Sequence, residues 1–431
     1  MKRSNQTFIG YDIGTFGSVN NLMAIQEIQI CGYRSLRKIK LELGDLTVLL
    51  GPNGCGKSNV YQAIQLLSSA AHGRFGRRIM EEGGMRSVLW AGPRRKNEDH
   101  RVQLAMKFDD MLYTLECGRV PISERPDADD FRLDIFRQDP DIKVETLQLA
   151  NGGKNASLLQ RKGNSITARN MDGRNVSYPA TIAMSESVLS ELREPHKFPE
   201  LSTLRMELIN WRFYHEFRTD LQSPLRQSQI ATLTPIMNDE GTDLFAAIAT
   251  IQAIGDSKVL VDAIERAFPG CTISIGCEDN ELTLYMNVPN IFRPMTAREF
   301  SDGTLQYLCL LGALLTPRPA PFMVLNEPET SIHPDLYEPL AELIVHASKS
   351  SQILLTTHAK ELAHFIRKKG KCSLVELQKV KGATTIIGDS LGSDEENDED
   401  ETEKPSKEVN VPKRSAKEQQ KKQMTDDDDD D

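Results

Sequence analysis

An eight-residue stretch rich in glycine follows a short apolar segment near the start of the chain. The stretch is Gly51-Pro52-Asn53-Gly54-Cys55-Gly56-Lys57-Ser58, and the apolar segment is residues 46–50. Its glycines allow the backbone to turn several N–H groups toward one point, where they can bind an anion. A helix that begins at Lys57 would add the positive end of its dipole. The spacing therefore predicts a cradle for the phosphates of a nucleotide.

The polar residues of this stretch have separate roles in that prediction. Lys57 would reach the β- and γ-phosphates, and the hydroxyl of Ser58 would be a ligand of Mg²⁺. Asn59 continues into a segment with helical spacing that extends to residue 67. An ordinary glycine-rich turn between a strand and a helix is the alternative, but it does not require the Lys-Ser pair. A nucleoside triphosphate with Mg²⁺ is therefore the expected ligand.

Two further reactive side chains follow apolar segments that are typical of buried strands. Glu327 lies just after residues 322–325, and His358 lies just after residues 352–355 and two threonines. Because the carboxyl ends of parallel strands meet at one edge of a sheet, we expect both beside the glycine-rich loop. Glu327 would orient and deprotonate the attacking water, and His358 would bind the γ-phosphate. The alternatives are an acid that caps the next helix and a histidine in the core.

The elements that must position these residues alternate between strands and helices. Alternating patterns predict strands at 24–30 and 37–43, before the loop. Short strands separated by turn residues between 102 and 180 predict an antiparallel β-subdomain, and helices follow up to residue 268. The fold class is therefore α/β, with a mixed sheet that carries the loop and an inserted β/helical subdomain at about 100–290.

Two segments give weaker signals. Residues 68–100 are polar, basic and rich in glycine, which predicts a loop that is either solvated or a mobile cover over nucleotide or nucleic acid. Residues 212–218 place three aromatic side chains beside charged ones, which favours aromatic packing in the core over a binding site.

Charge is distributed unevenly along the chain. The net charge of the 431 residues is −10, and residues 389–431 carry 17 acidic and 7 basic residues, which leaves 45 of each sign in residues 1–388. Residues 389–431 hold almost no apolar side chains, so we expect a disordered acidic tail. Residues 1–22 lack periodicity and are expected to form a flexible extension, so that the folded part is 23–388.

The composition also bears on location. No apolar run reaches about 18 residues, so no membrane-spanning helix and no membrane partner are expected. The seven cysteines are scattered singly, which favours reduced thiols over disulfides or structural zinc. The basic start is not followed by an apolar core, so a signal peptide is not expected. These features predict a cytoplasmic protein.

Taken together, the motifs resemble the ABC-type ATPase heads of the RecF/SMC class, and most closely the stand-alone AAA-family ATPases. The resemblance runs from Met23 to Ile387, and its other motifs are Ser301-Asp302-Gly303-Thr304, the segment 326–335 and Thr357-His358. It implies that the nucleotide is ATP and that the chain hydrolyses it. It also implies a head-to-tail homodimer that encloses two ATP molecules and acts on DNA.

The resemblance assigns further residues to the site. Ser301 and Gly303 stand where the family binds the γ-phosphate of ATP held by the other subunit. Arg34 lies in an aromatic-Arg-Ser turn and would contact the phosphates, the alternative being a surface arginine. Asn326 stands where an acidic Mg²⁺ ligand is expected, and an amide oxygen is a weaker ligand than a carboxylate. Gln103 is the nearest candidate for the glutamine that the family places near the metal.

The sequence leaves three functions open. The first is an ATPase that acts on DNA in repair, chromosome maintenance or phage defence. The second is a weakly hydrolytic, ATP-gated module that controls a partner effector protein, a possibility that Asn326 keeps open. The third, an ABC transporter subunit, is disfavoured by the Ser301–Thr304 motif and by the long insertion.

Overall fold

The computed structural model describes residues 23–93, 100–120, 136–151, 154–178 and 182–388. The expected N-terminal extension at 1–22 and the expected acidic tail at 389–431 lie outside these residues. Within the described ranges the chain forms three β-sheets and the helices that cover them.

The strands and the α-helices, each numbered in chain order, have the following bounds. The strands are β1 Glu27–Tyr33, β2 Leu36–Glu42, β3 Leu46–Leu50, β4 Arg101–Lys107, β5 Met111–Arg119, β6 Pro140–Asn151, β7 Lys154–Lys162, β8 Ser165–Arg169, β9 Asn175–Tyr178, β10 Arg212–Tyr214, β11 Gln229–Ile230, β12 Thr272–Glu278, β13 Glu281–Asn287, β14 Met295–Thr296, β15 Phe322–Asn326, β16 Gln352–Thr357, β17 Ser373–Val380 and β18 Ala383–Ile386. The α-helices are α1 Lys57–Ala71, α2 Phe75–Glu81, α3 Met85–Val88, α4 Val188–Glu191, α5 Pro199–Ile209, α6 Leu244–Ile254, α7 Ser257–Ala267, α8 Asp302–Leu314, α9 Tyr337–Ala347 and α10 Lys360–Lys369.

The central sheet is mixed, as the sequence predicts. Its strand order is β10-β15-β16-β3-β17-β18, and the first five strands are parallel while β18 is antiparallel to β17. Strands β3, β15 and β16 are buried along their whole length because apolar layers cover both faces of the sheet. Leu49 and Val324 belong to the core that includes α1, whereas Val48 and Leu325 belong to the core that includes α8 and α9. This order brings the carboxyl ends of β10, β15, β16 and β3 side by side.

The second sheet is antiparallel and has eight strands in the order β2-β1-β4-β5-β6-β7-β8-β9. Its core face follows the alternation expected of a half-buried sheet, as in β4, where Val102, Leu104 and Met106 are fully buried. The predicted antiparallel β-subdomain is therefore present. The sheet also includes β1 and β2, so it takes strands from before the glycine-rich loop as well as from the segment 100–290.

The helical part of the insertion, α4 to α7, is present as predicted. Helices α6 and α7 pack on a small antiparallel sheet in which β13 lies between β11 and β12. One expectation for a neighbouring segment was wrong. The segment 68–100, expected as a loop, contains the end of α1 and the helices α2 and α3. The aromatic side chains of the segment 212–218 are buried in the core as expected, and its residues 212–214 also form β10 and join the central sheet.

No helix among the described residues is long and apolar enough to cross a lipid bilayer. The seven cysteines all lie in the described ranges and are free thiols. This agrees with their scattered positions in the sequence.

A partly buried acid on α5 makes the stability of the fold depend on pH. Glu207 accepts a hydrogen bond from Trp211 Nε1 at 3.4 Å, and burial raises the pKa of its carboxyl from 4.5 to about 7. Above pH 4.5 the folded protein therefore holds this proton more tightly than the unfolded chain, and its stability falls as the pH rises to about 7.

We expect Glu207→Gln, which removes that ionisation, to raise the free energy of unfolding at pH 8 by roughly 3 kcal/mol at most relative to the wild type. The same change at pH 4.5 should have little effect. Urea unfolding at the two pH values measures this, with Glu191→Gln at an exposed position as the control. An equal effect at both pH values would contradict the assignment.

Candidate active site

The glycine-rich loop connects β3 to α1, and the helix begins at Lys57 as predicted. Gly56 has a φ of 110°, and a Cβ atom there would lie 2.0 Å from Thr384 Oγ1, so only glycine fits. Helix α1 has no side-chain cap and no acidic residue in its first turn. Its first N–H groups are therefore available to an anion. The sequence-predicted residues Pro52, Asn53 and Gly54 are exposed at this point, and Cys55 is buried against the loop.

A chain of hydrogen bonds connects the glycine-rich loop to residues that are distant in sequence. Asn59 Nδ2 donates to Ser35 Oγ, Ser35 Oγ to Thr384 Oγ1, and Thr384 Oγ1 to the Cys55 carbonyl, each at 2.7 Å. Because Thr384 gives its proton to the carbonyl, the Ser35 hydroxyl must be the donor between the two. Sequence reasoning missed Ser35 and Thr384. The position of Ser35 next to Arg34 was the one available signal.

We expect Thr384→Val to lower ATP affinity by about tenfold, since it removes one hydrogen bond to the loop and leaves Ser35 without its acceptor. Thr385→Val is the matched control in the same strand, because Thr385 Oγ1 has no partner among the described residues. Fluorescence titration with an ATP analogue measures both variants. Equal affinities for the two would contradict a role for Thr384.

Lys57 is bound to its own loop and to the opposite side of the site. Its side chain is 2% exposed, and Nζ donates to the carbonyls of Gly51 at 2.8 Å and Pro52 at 3.1 Å. The third contact of Nζ is an ion pair with Glu327 Oε1 at 3.2 Å. The three N–H donors of the ammonium group therefore have three acceptors. The structure thus brings together the predicted phosphate-binding lysine and the predicted catalytic acid.

Glu327 follows β15 with a left-handed backbone, at a φ of 50°. Its N–H donates to the Thr356 carbonyl at 2.9 Å, which holds this unusual conformation in place. Strained backbone of this kind is concentrated at functional sites. The carboxylate is 24% exposed and pairs with Lys57. It does not accept a hydrogen bond from a helix N-terminus in the described chain, so the structure does not favour the capping alternative.

His358 lies between two carboxylates. Its side chain is 43% exposed, so it is not a core histidine. Nδ1 is 3.2 Å from Glu329 Oε1 and 3.8 Å from Glu327 Oε2. Glu329 is almost fully buried, and Oε1 also accepts from Thr357 Oγ1 at 2.6 Å and from the His358 N–H at 2.9 Å.

Glu329 therefore fixes the position of His358 and the entry to α10. Sequence reasoning did not assign a role to Glu329. The signal was a second acid two residues after Glu327, which lies on the same turn after β15.

Asn326 ends β15 and is 2% exposed. Its Oδ1 accepts from Thr356 Oγ1 at 2.7 Å, and its Nδ2 lies 2.8 Å from His215 Nδ1. Ser58 is exposed on the first turn of α1. A hydroxyl and an amide oxygen are of the type that Mg²⁺ prefers, so these residues fit the ion, although neither carries the charge of a carboxylate. His215 is a further neighbour of the site that sequence reasoning missed.

Ser301 and Gly303 form the N-terminus of α8. Ser301 Oγ accepts from the Thr304 N–H at 3.1 Å and so caps the helix. A Cβ atom at Gly303 would lie 2.7 Å from the Ser331 carbonyl, which leaves no room for a side chain. Neither residue contacts the loop at 51–59 in the part of the chain that the structure describes.

Arg34 is bound elsewhere than at the glycine-rich loop. Its Nη2 lies 2.9 Å from Glu82 Oε2, and Nη1 donates to Gln62 on α1. The side chain is 26% exposed, so it is not a free surface arginine. Gln103 lies outside the central sheet. It lies in β4 and donates to Glu116 at 3.2 Å.

The solved structures that are similar to this chain include head domains of SMC proteins. The SmcHead bound to the C-winged helix domain of ScpA has a TM-score of 0.47 and 15% identity, covering 86% of this chain and 99% of that one. The Smc head domain of Pyrococcus furiosus, bound to the C-terminal domain of ScpA, has a TM-score of 0.46 and 13% identity over 86% of this chain and 98% of that one. The SMC head domain from Thermotoga maritima has a TM-score of 0.40 and 16% identity, over 84% and 98%.

Comparison of sequences gives a relative and two family models. The chromosome partition protein Smc of Desulfitobacterium hafniense (strain Y51) is 32% identical over 105 residues, which are 23% of this chain and 8% of that protein. A model described as "AAA domain, putative AbiEii toxin, Type IV TA system" matches residues 179–362. The model described as "AAA ATPase domain" matches residues 23–254, more than half of the chain. The chain therefore belongs to the AAA ATPase domain family.

Proposed function

We propose that the chain binds ATP with Mg²⁺ on the loop Gly51–Ser58 and hydrolyses it with Glu327 as the general base. The contact that carries this proposal is the 3.2 Å ion pair between Lys57 Nζ and Glu327 Oε1. It joins a phosphate-binding lysine and a strand-end carboxylate that are far apart in sequence. Phosphoryl transfer uses a cation at the β- and γ-phosphates and a group that orients the attacking water, so a lysine and a carboxylate at one site support the proposal.

The contacts of Lys57 suggest how binding would prepare the site. Phosphate oxygens would replace the Gly51 and Pro52 carbonyls and Glu327 as acceptors for Nζ. Glu327, no longer paired with the ammonium group, would then accept a proton from the attacking water. His358 would bind the γ-phosphate while Glu329 holds its ring. Ser58 and Asn326 would hold Mg²⁺, which when bound would neutralise charge on the phosphates.

We also propose that ATP closes a homodimer. Ser301 and Gly303 lie at an exposed helix N-terminus, which is a favourable place for a phosphate, yet they do not contact the loop of their own chain. The γ-phosphate held by one copy would meet the α8 N-terminus of a second copy. The segment shared with a chromosome partition protein supports DNA as the substrate on which the dimer acts.

Light scattering and phosphate release test this function together. The mass in solution should double when ATP is added, and DNA should increase the rate of phosphate release. A mass that stays that of one chain at saturating ATP would contradict the dimer. A release rate that DNA does not change would contradict the proposed action on DNA.

A second function is favoured by Asn326, which places a neutral amide where a charged metal ligand is expected. The chain would then bind ATP, change its assembly state and control a partner effector protein with little hydrolysis. In that case ATP would still double the mass, while the wild type would release phosphate no faster than Glu327→Gln.

A further inference from the structure

The edge strand β10 of the central sheet is followed by a histidine that lies beside Asn326. Strand β10 is parallel to β15, with Tyr214 opposite Leu325, so the next residues, His215 and Asn326, stand beside each other. His215 Nδ1 lies 2.8 Å from Asn326 Nδ2, and the histidine is exposed. Its ring also packs near Tyr61 on α1, with centroids 5.9 Å apart.

The two neighbours of the Asn326 side chain lie on opposite sides of it. Thr356, in β16, donates to Asn326 Oδ1 at 2.7 Å. Because β16 lies between β15 and β3, the amide oxygen faces the side of the glycine-rich loop. The NH₂ group faces His215 and the sheet edge.

His215 is the partner that selects this orientation. A threonine hydroxyl can donate or accept, so Thr356 would satisfy either end of the amide. An imidazole nitrogen without a proton can only accept, so it requires the NH₂ group. The same Nδ1 lies 3.4 Å from the main-chain carbonyl oxygen of Asn326. A hydrogen bond there would need Nδ1 to donate. With Nδ1 as an acceptor, the shorter contact, with Nδ2, is the hydrogen bond.

The orientation of the Asn326 side chain matters because an amide has an oxygen at only one of its two ends. An aspartate presents an oxygen on both sides, so rotation about its last bond would leave an oxygen toward the loop. A rotated asparagine would instead present an NH₂ group, which repels a cation. We infer that His215 is a positioning residue that keeps Asn326 Oδ1 turned toward the loop as an oxygen ligand for Mg²⁺. This inference rests on the proposed function.

The test measures how much Mg²⁺ tightens ATP binding, as the ratio of the dissociation constant in EDTA to that in Mg²⁺. His215→Phe keeps an aromatic ring beside Tyr61 but removes the acceptor. It should lower this ratio by about tenfold and leave the affinity in EDTA unchanged. His215→Gln, whose amide oxygen can accept from Nδ2, should recover most of the ratio. His364→Phe, at an exposed position on α10, is the matched control.

The Asn326→Asp background makes the test specific. With an oxygen on both sides of residue 326, His215→Phe should change the ratio less than about twofold. An unchanged ratio for His215→Phe in the wild-type background would overturn the inference, as would an equal loss in the Asn326→Asp background. Absence of ATP binding in both EDTA and Mg²⁺ would overturn the proposed function itself. ATP binding that Mg²⁺ does not tighten would overturn the role of His215 and the assignment of Ser58 and Asn326 to Mg²⁺, while the binding of ATP to the loop would stand.

Discussion

Replacing Lys57 by alanine is expected to abolish detectable binding of ATP. The ammonium group is the one buried cation on the loop in the described structure, and its hydrogen bonds to a charged phosphate would each contribute about 1.5–3 kcal/mol. The substitution also removes the ion pair with Glu327. That carboxylate is partly exposed and can be hydrated, so we expect the variant to fold.

Thermal unfolding with and without ATP measures the loss. A ligand at 100 times its dissociation constant stabilises a protein by about 2.7 kcal/mol, so the wild type should unfold at a higher temperature when ATP is present. Lys57→Ala should show no such shift. Lys360→Ala is the matched control, because Lys360 also begins a helix that follows a parallel strand of the central sheet, but it is exposed. A shift of wild-type size in Lys57→Ala would remove Lys57 from the site.

Replacing Glu327 by glutamine should lower phosphate release at least about 100-fold while ATP still binds. Glutamine keeps the shape of the side chain but cannot accept the proton of the attacking water. It also removes the negative charge that competes with phosphate for Lys57, so ATP should bind as tightly as in the wild type or more tightly.

Steady-state phosphate release and equilibrium ATP binding, measured on the same preparation, separate these effects. Glu361→Gln, at an exposed position on α10, should change neither quantity. Loss of ATP binding in Glu327→Gln would show that Glu327 holds the site together rather than serving as the base. Unchanged release would assign the base to another residue.

The parts of the site that could be predicted from the sequence depend on neighbours in the chain. The glycines, Lys57 and Ser58 occupy one loop, and the strand before it and the helix after it are local patterns. Glu327 and His358 could be found because each follows an apolar segment of the kind that indicates a buried parallel strand. The carboxyl ends of such strands meet at one edge.

The parts that could not be predicted depend on partners distant in sequence. β10 has three residues, too few to show a period, and its pairing with β15 gives it its place. His215 therefore seemed to belong to an aromatic cluster. Ser35 and Thr384 meet under the loop although they are separated by most of the chain. Nothing in either local sequence indicates that contact.

The elements of the fold can also be divided into those that local sequence patterns predict and those that they do not. The central α/β arrangement and the antiparallel strands follow from hydrophobic patterns, and the structure contains both. Helix α2 was missed because its arginines made the segment look like a loop. In the structure Arg77 pairs with Glu81 one turn later, and these charges lie on the exposed side of a short helix.

Single-turnover hydrolysis tests the central claim most directly. The protein is mixed in excess with ATP labelled on the γ-phosphate, so that each ATP molecule is bound and slow turnover is still detected. We predict that the wild type releases the label completely and that Glu327→Gln keeps the bound ATP intact. Bound ATP that stays intact on the wild type, or release at the same rate from both proteins, would contradict the assignment of this site as an ATPase centre.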